Sequence, residues 1–200
     1  MEPLVTLTSR LAVIPDADID TDIIFPARFL LLTVKKGLGR YAFHDKRRVG
    51  GVEIAGFPLA PGAADPARIL ITGPNFGCGS SREQAVWALH DLGVRVILAA
   101  SFGEIFRSNC FKSGVLPIIL PQADLDRLLA AGTLTVDLAH QRIEAPGVTP
   151  LTFEIEDWRR EALLNGWDDV LILLKTQGDA IASFEAGRRA EAPWLFTTTL

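Results

Sequence analysis

Two cysteines in 200 residues, Cys78 and Cys110, make no disulfide framework and suit a reducing cytosol. Long apolar runs are missing as well. The most apolar stretches, residues 94–100 and 115–120, fall far short of the roughly 20 residues a helix needs to cross a bilayer. Leu11-Ala12-Val13-Ile14 is brief and runs into Pro15 and a string of aspartates, which excludes a secretory pattern. Basic charge is scarce: the net charge is −4, and the longest cationic cluster is Lys46-Arg47-Arg48. That excludes a nucleic-acid binder, which needs a concentrated excess of Lys and Arg to neutralise phosphates. Histidine is rare too, and His44, His90 and His140 are scattered without metal-ligand spacing, so each reads as a surface or satisfied side chain. Neither an internal repeat nor a low-complexity linker interrupts the chain.

What remains is globular, with 48% apolar and 22% charged residues. The expectation is one soluble cytoplasmic α/β domain covering residues 1–200, with a core at about 5–156 and a helical tail at about 157–190. Residues 10–14 read as a strand closed by Pro15. Asp16, Asp18, Asp20 and Asp22 follow, and they superficially suggest a calcium loop. Its sixth position would be Thr21 instead of Gly and its twelfth Ala27 instead of Glu, so a polar turn that positions the chain is the better reading. Residues 27–51 carry four glycines and a cationic bias from Lys35, Lys36, Arg40, Lys46, Arg47 and Arg48, and read as a mobile excursion with some helix.

From residue 68 the pattern is regular. Strands are expected at 68–72, 94–100 and 115–120, with helices from about 81 to 92, 101 to 110 and 121 to 132 between and after them. Ser101 with Glu104 has the form of a capping box, and Gly93 and Gly114 are plausible terminators. This alternation implies βαβ units and partly parallel pairing, hence a mixed sheet. Residues 133–138 and 142–145 read as a hairpin and 151–155 as a further strand. A helix capped by Asp157 and a helical stretch at 168–188, broken near Gly178, complete the chain.

The informative stretch is Gly73-Pro74-Asn75-Phe76-Gly77-Cys78-Gly79-Ser80-Ser81-Arg82-Glu83, between a strand and a helix. Unpaired N–H groups and the dipole at a helix start favour a bound anion. Glycines permit close approach, and Ser80, Ser81 and Arg82 add two hydroxyls and a guanidinium that matches a carboxylate bidentately. A carboxylate or a phosphate fits equally, and a plain glycine-rich turn with a capping serine stays open. Three familiar motifs fail on spacing. A P-loop would need Gly at Cys78 and a Lys after it, a dinucleotide fingerprint from Gly77 would need Gly at Arg82, and neither serine has the flanking glycines of a nucleophile elbow. Cys110 reads as a packing residue in its helix.

The run from Asn75 to Glu83 resembles the signature of the swivelling domain of the aconitase superfamily, and most closely that of the 3-isopropylmalate dehydratase small-subunit family. The likeness extends to Asp20-Thr21-Asp22-Ile23-Ile24, Gly37-Leu38-Gly39, Ser101-Phe102-Gly103-Glu104, Leu116-Pro117 and Leu164-Asn165-Gly166. The resemblance implies a swivelling β/β/α domain with a C-terminal helical extension. It also implies a hydro-lyase subunit, active only with a large subunit, that interconverts 2- and 3-isopropylmalate by dehydration and rehydration in leucine biosynthesis. A 4Fe–4S cluster would be carried by the large subunit, with no metal on this chain, since two cysteines are too few.

By the same resemblance Ser80 is the base, and Asn75, Gly79, Ser81, Arg82, Lys35 and Lys36 contact a small hydroxy dicarboxylate. Asp20, Thr21, Asp22, Gly77 and Cys78 support the motif. Lys35-Lys36, Lys46 and Gln84 depart from the family's usual residues. Related acids such as 2-methylmalate, homoaconitate or dimethylmalate therefore stay open as substrates, beside a non-catalytic anion-binding module.

Overall fold

The computed structural model describes residues 1–32 and 34–196. Its contacts divide the chain into two compact units, Met1–Gly166 and Trp167–Leu200. The first unit carries β1 (Thr6–Ile14), α1 (Thr21–Ile24), a small hairpin of β2 (Arg48–Val49) and β3 (Val52–Glu53), β4 (Ile69–Thr72), α2 (Glu83–Asp91), β5 (Val96–Ala99), α3 (Glu104–Lys112), β6 (Leu116–Ile119), α4 (Gln122–Leu129), β7 (Thr133–Asp137), β8 (Arg142–Ala145), β9 (Val148–Thr152) and α5 (Asp157–Asn165). The second is dominated by α6 (Asp169–Glu191).

Seven strands form one sheet in the order β6-β5-β4-β1-β7-β8-β9. The first four run parallel, and β1 pairs antiparallel with β7 to begin a meander through β8 and β9. The mixed α/β sheet expected from the alternation is present. Its parallel half is buried on both faces, which explains why β4 and β5 are apolar at consecutive positions. Alternate side chains go to opposite layers. Leu70, Ile97 and Ala99 join Ala85, Val86, Ala88 and Leu89 of α2. Ile69, Ile71, Val96 and Leu98 join Leu125 and Leu128 of α4 and Leu163 of α5. Pro117 is tolerated because β6 is the outermost strand, where a missing N–H breaks no ladder on the open side.

Four local expectations are corrected. The excursion at 27–51 is built into the core: Leu38, Ala42 and Phe43 are buried, and so is Arg47, whose guanidinium donates to the Ala42 carbonyl at 3.0 Å. Ser101 does not cap α3, whose N-cap is Gly103 without a side-chain bond. Asp157 is the first residue of α5, and its N-cap is Glu156. Helix α6 runs continuously through Gly178, because one glycine costs a helix only about 1 kcal/mol. Helix α5, expected with the tail, falls in the first unit.

Ile97 is fully buried on β5 between helix-facing neighbours. Ile97→Ala should lower the unfolding free energy by about 2–5 kcal/mol in denaturant titrations. Val49→Thr, on the exposed hairpin, should change it by less than about 0.5 kcal/mol.

Candidate active site

Parallel strands end their C-terminal edges together, and here three of those edges emit loops that bond to one another. The loop after β4 is the glycine- and serine-rich stretch. Its Gly77 N–H donates to the Ile19 carbonyl at 2.7 Å, and its Cys78 carbonyl accepts from the Thr21 N–H at 2.9 Å, so it is stitched to the segment after β1. On its other side the Phe76 N–H donates to the Ser101 carbonyl at 3.2 Å, and the Gly103 N–H returns to the Phe76 carbonyl at 2.9 Å. Loops after β1, β4 and β5 thus form a short three-ply weave, with bridges pairing Asp20 with Cys78 and Phe76 with Phe102.

Side chains lock the weave. Asn75, held at φ +58°, donates its amide to Asp18 at 2.8 Å, while its backbone N–H donates to the Ser101 hydroxyl at 2.8 Å. Ser101 therefore serves the site loop instead of α3. The Thr21 hydroxyl donates to the Ser80 carbonyl at 2.9 Å, and Asp20 caps α1 by accepting from the Ile23 N–H at 2.8 Å. Glycine is required at several places, of which two lie in the loop itself. A Cβ on Gly77 would lie 2.1 Å from the ring of Phe106, which rises from α3 beneath the loop, and Gly79 adopts φ +91°.

The exposed face of the loop carries Ser80 and Ser81. Among the described residues nothing hydrogen-bonds the Ser80 hydroxyl. The N–H groups of Gly79, Ser80, Ser81, Arg82, Glu83 and Gln84 likewise have no partner. Six consecutive donors ending in the first turn of α2 form a positive rim suited to an anion. Arg82 opens α2 from its N-cap position, and its side chain, 14% exposed, pairs with Asp22. The Arg82 hydrogen bond holds the Asp22 carboxyl below its ordinary value, with a smaller contribution from the Ala27 N–H. The four alternating aspartates thus position the chain: Asp18 takes Asn75, Asp20 caps α1, Asp22 takes Arg82, and Asp16 pairs with Lys46 at 2.9 Å.

The structure brings Asn75, Gly77, Cys78, Gly79, Ser80, Ser81, Arg82, Asp20, Thr21 and Asp22 into one region. It does not bring Lys35 and Lys36 there. Lys35 sits over the ring of Trp87, and both lysines border a cavity shared with His90 and Asp91, in the second half of α2. At about 1.5 Å per residue that is roughly 12 Å along the helix from Arg82. Lys35 is held against α2 by its cation–π contact with the indole. Ser101, part of the run that carries the family likeness but read as a helix cap, and Phe106 support the loop from the segment after the next strand.

The cysteines do not fit an iron–sulfur cluster. Cys78 lies half-buried in the loop, while Cys110 is fully buried in α3. Burial raises both thiols above their ordinary value, and Asp20 and Asp18 push Cys78 further the same way.

Comparison with known proteins gives a consistent result. Residues 1–123 match the family model of the aconitase C-terminal domain, and residues 176–198 match that of the C-terminal domain of the 3-isopropylmalate dehydratase small subunit. The chain is 44% identical to the 3-isopropylmalate dehydratase small subunit of Paramagnetospirillum magneticum, covering 98% of this chain and 100% of that one. It is 46% identical to that of Rhodospirillum rubrum, covering 98% and 97%. A crystal structure of 3-isopropylmalate dehydratase from Methanocaldococcus jannaschii superposes with a TM-score of 0.67 at 27% identity, over 90% of this chain and 99% of that one.

Gly77→Ala should collapse the weave, because the clash is with a ring packed in the core. A melting curve should fall by several degrees, while Gly37→Ala, facing open space but also at positive φ, should fall less.

Proposed function

The chain belongs to the 3-isopropylmalate dehydratase small-subunit family, and from that premise we propose that it is the small subunit of a hydro-lyase that isomerises 2-isopropylmalate to 3-isopropylmalate in leucine biosynthesis. The observation that carries the site assignment is the unpartnered Ser80 hydroxyl inside a rim of free N–H donors beside Arg82.

In this reading Ser80 removes the proton from the carbon next to a substrate carboxylate. Hydroxide leaves the neighbouring carbon, and a double bond forms between the two. Water then adds in the reverse orientation: hydroxide to the carbon that lost the proton, and the proton from Ser80 to the carbon that lost hydroxide. A serine alkoxide is costly in water, so the free N–H groups and the α2 dipole must stabilise it. Arg82 binds a substrate carboxylate through the guanidinium edge that Asp22 leaves open, with Ser81 beside it, and Asp22 fixes the direction of that guanidinium.

Loss of hydroxide calls for a Lewis acid, and the two raised, separated thiols of this chain do not supply its ligands. We therefore assign a 4Fe–4S cluster to the large subunit, and activity to the assembled pair. Among the described residues no helix is long and apolar enough to cross a membrane, which suits a reading of the enzyme as cytoplasmic. The unchanged Ser80 and Arg82 support the reaction type also for a related acid.

The test is anaerobic turnover by the chain mixed with its large subunit, followed by absorbance of the unsaturated acid. Ser80→Ala should lower kcat by about 10²–10⁴-fold with the complex intact. Near-normal turnover in that variant would remove Ser80 as the base and leave an anion-binding module. Asp22→Asn should raise KM for 2-isopropylmalate several-fold, yet change unfolding free energy by no more than about 1 kcal/mol, since its half-exposed carboxylate contributes little to stability.

A further inference from the structure

Towards the far end of α2 from Ser80 lies a cavity of about 340 Å³. Lys35, Lys36 and Lys112 border it, beside the indole of Trp87 and the side chain of Met1. The Lys35 ammonium stands 4.7 Å from the Trp87 ring centroid, a cation–π contact. Two carboxylates also reach the rim, but both are committed. Glu2 pairs with buried Arg95 at 2.7 Å, and Asp91 accepts from the Gly39 N–H at 2.8 Å. Among the described residues no carboxylate pairs with Lys35, Lys36 or Lys112, whereas Lys46 is paired with Asp16. With Glu2 offset by Arg95, three lysines face the single carboxylate of Asp91 around one concavity, which leaves a local excess of positive potential in a chain of net charge −4.

The wall decides what kind of anion fits. A phosphate would use the ammonium groups and leave the indole and the thioether idle. A carboxylate with an aliphatic body would use both, its charge on the lysines and its body on Trp87 and Met1. His90 lines the same cavity, and burial together with Arg95 holds its imidazole below its ordinary value. A neutral imidazole there offers a hydrogen bond to a ligand instead of a further charge.

We propose that this cavity is a second anion site, separate from the Ser80 loop, that takes a small dicarboxylate with an aliphatic body, held by Lys36 and Lys112 against Trp87. Trp87 and His90 lie roughly 8 and 12 Å along α2 from Arg82, and none of the residues lining the cavity belongs to the Ser80 loop. The proposal does not depend on the role given to Ser80.

The test is calorimetric titration of the full chain, without its large subunit, using 2-isopropylmalate, succinate and inorganic phosphate. We expect 2-isopropylmalate to bind more tightly than succinate or phosphate. Lys36→Ala and Lys112→Ala should each weaken it by about tenfold or more, and in an Arg82→Ala background, where the Ser80 loop no longer holds a carboxylate, the Lys112-dependent binding should persist. Both lysines are exposed, so melting curves of the variants should overlay the parent. As an independent readout, ligand-dependent quenching of tryptophan emission should vanish in Trp87→Phe. Binding indifferent to Lys112→Ala but lost in Arg82→Ala would place the anion on the Ser80 loop and overturn the proposal. So would phosphate binding most tightly, quenching that persists in Trp87→Phe, or no binding of any of the three.

Discussion

The bond from the Gly77 N–H to the Ile19 carbonyl, 2.7 Å long, is the contact on which the rest of the site depends. It joins the ends of β1 and β4, neighbouring parallel strands whose loops would otherwise diverge into solvent. Once it is made, the Cys78 carbonyl meets the Thr21 N–H, the Thr21 hydroxyl meets the Ser80 carbonyl, and Phe106 fills the space that only a glycine leaves. The serine is thereby presented at the surface on a backbone that is rigid below and unsatisfied above. Free donors at a loop are normally a liability. Here they are exposed, and an anion can satisfy them.

Charge is distributed along α2 in a way that follows from its ends and its neighbours. The N-terminal turn is positive through its open N–H groups and Arg82, and Asp22 balances only part of that. The second half collects lysines that come from distant segments, 34–38 and the end of α3, onto an aromatic side chain. One short helix therefore carries two anion-attracting regions, built by different physics. The first uses backbone dipoles. The second uses side-chain ammonium groups beside a hydrophobic wall.

The regular elements are legible because their patterns are local. β4 and β5 are short apolar runs bounded by turn residues, and burial on both faces of a parallel sheet is what such runs mean. The glycine-rich loop and its serines are legible for the same reason: chirality limits which residues accept such backbone angles. Less legible is the segment at 27–51. Its glycines and charges suggest an excursion, while Phe43 packs against Phe57 and bonds to Ile24, and Arg47 is buried on the carbonyls of Arg40 and Ala42. Ser101 misleads because a hydroxyl before a helix has two competing uses, and only the position of Asn75 decides between them.

By itself the sequence determined the strand and helix series and the loop that carries Ser80 and Arg82. Tertiary structure alone decided which aspartate meets Arg82, what the Ser101 hydroxyl bonds to, and that Lys35 lies over the ring of Trp87. The physical reason is range. Helical and strand periodicity are properties of neighbours, but the Asn75–Asp18 and Thr21–Ser80 bonds join residues 57 and 59 positions apart. Such pairs leave no mark in either local pattern, and they form only when sheet order sets two strand ends side by side.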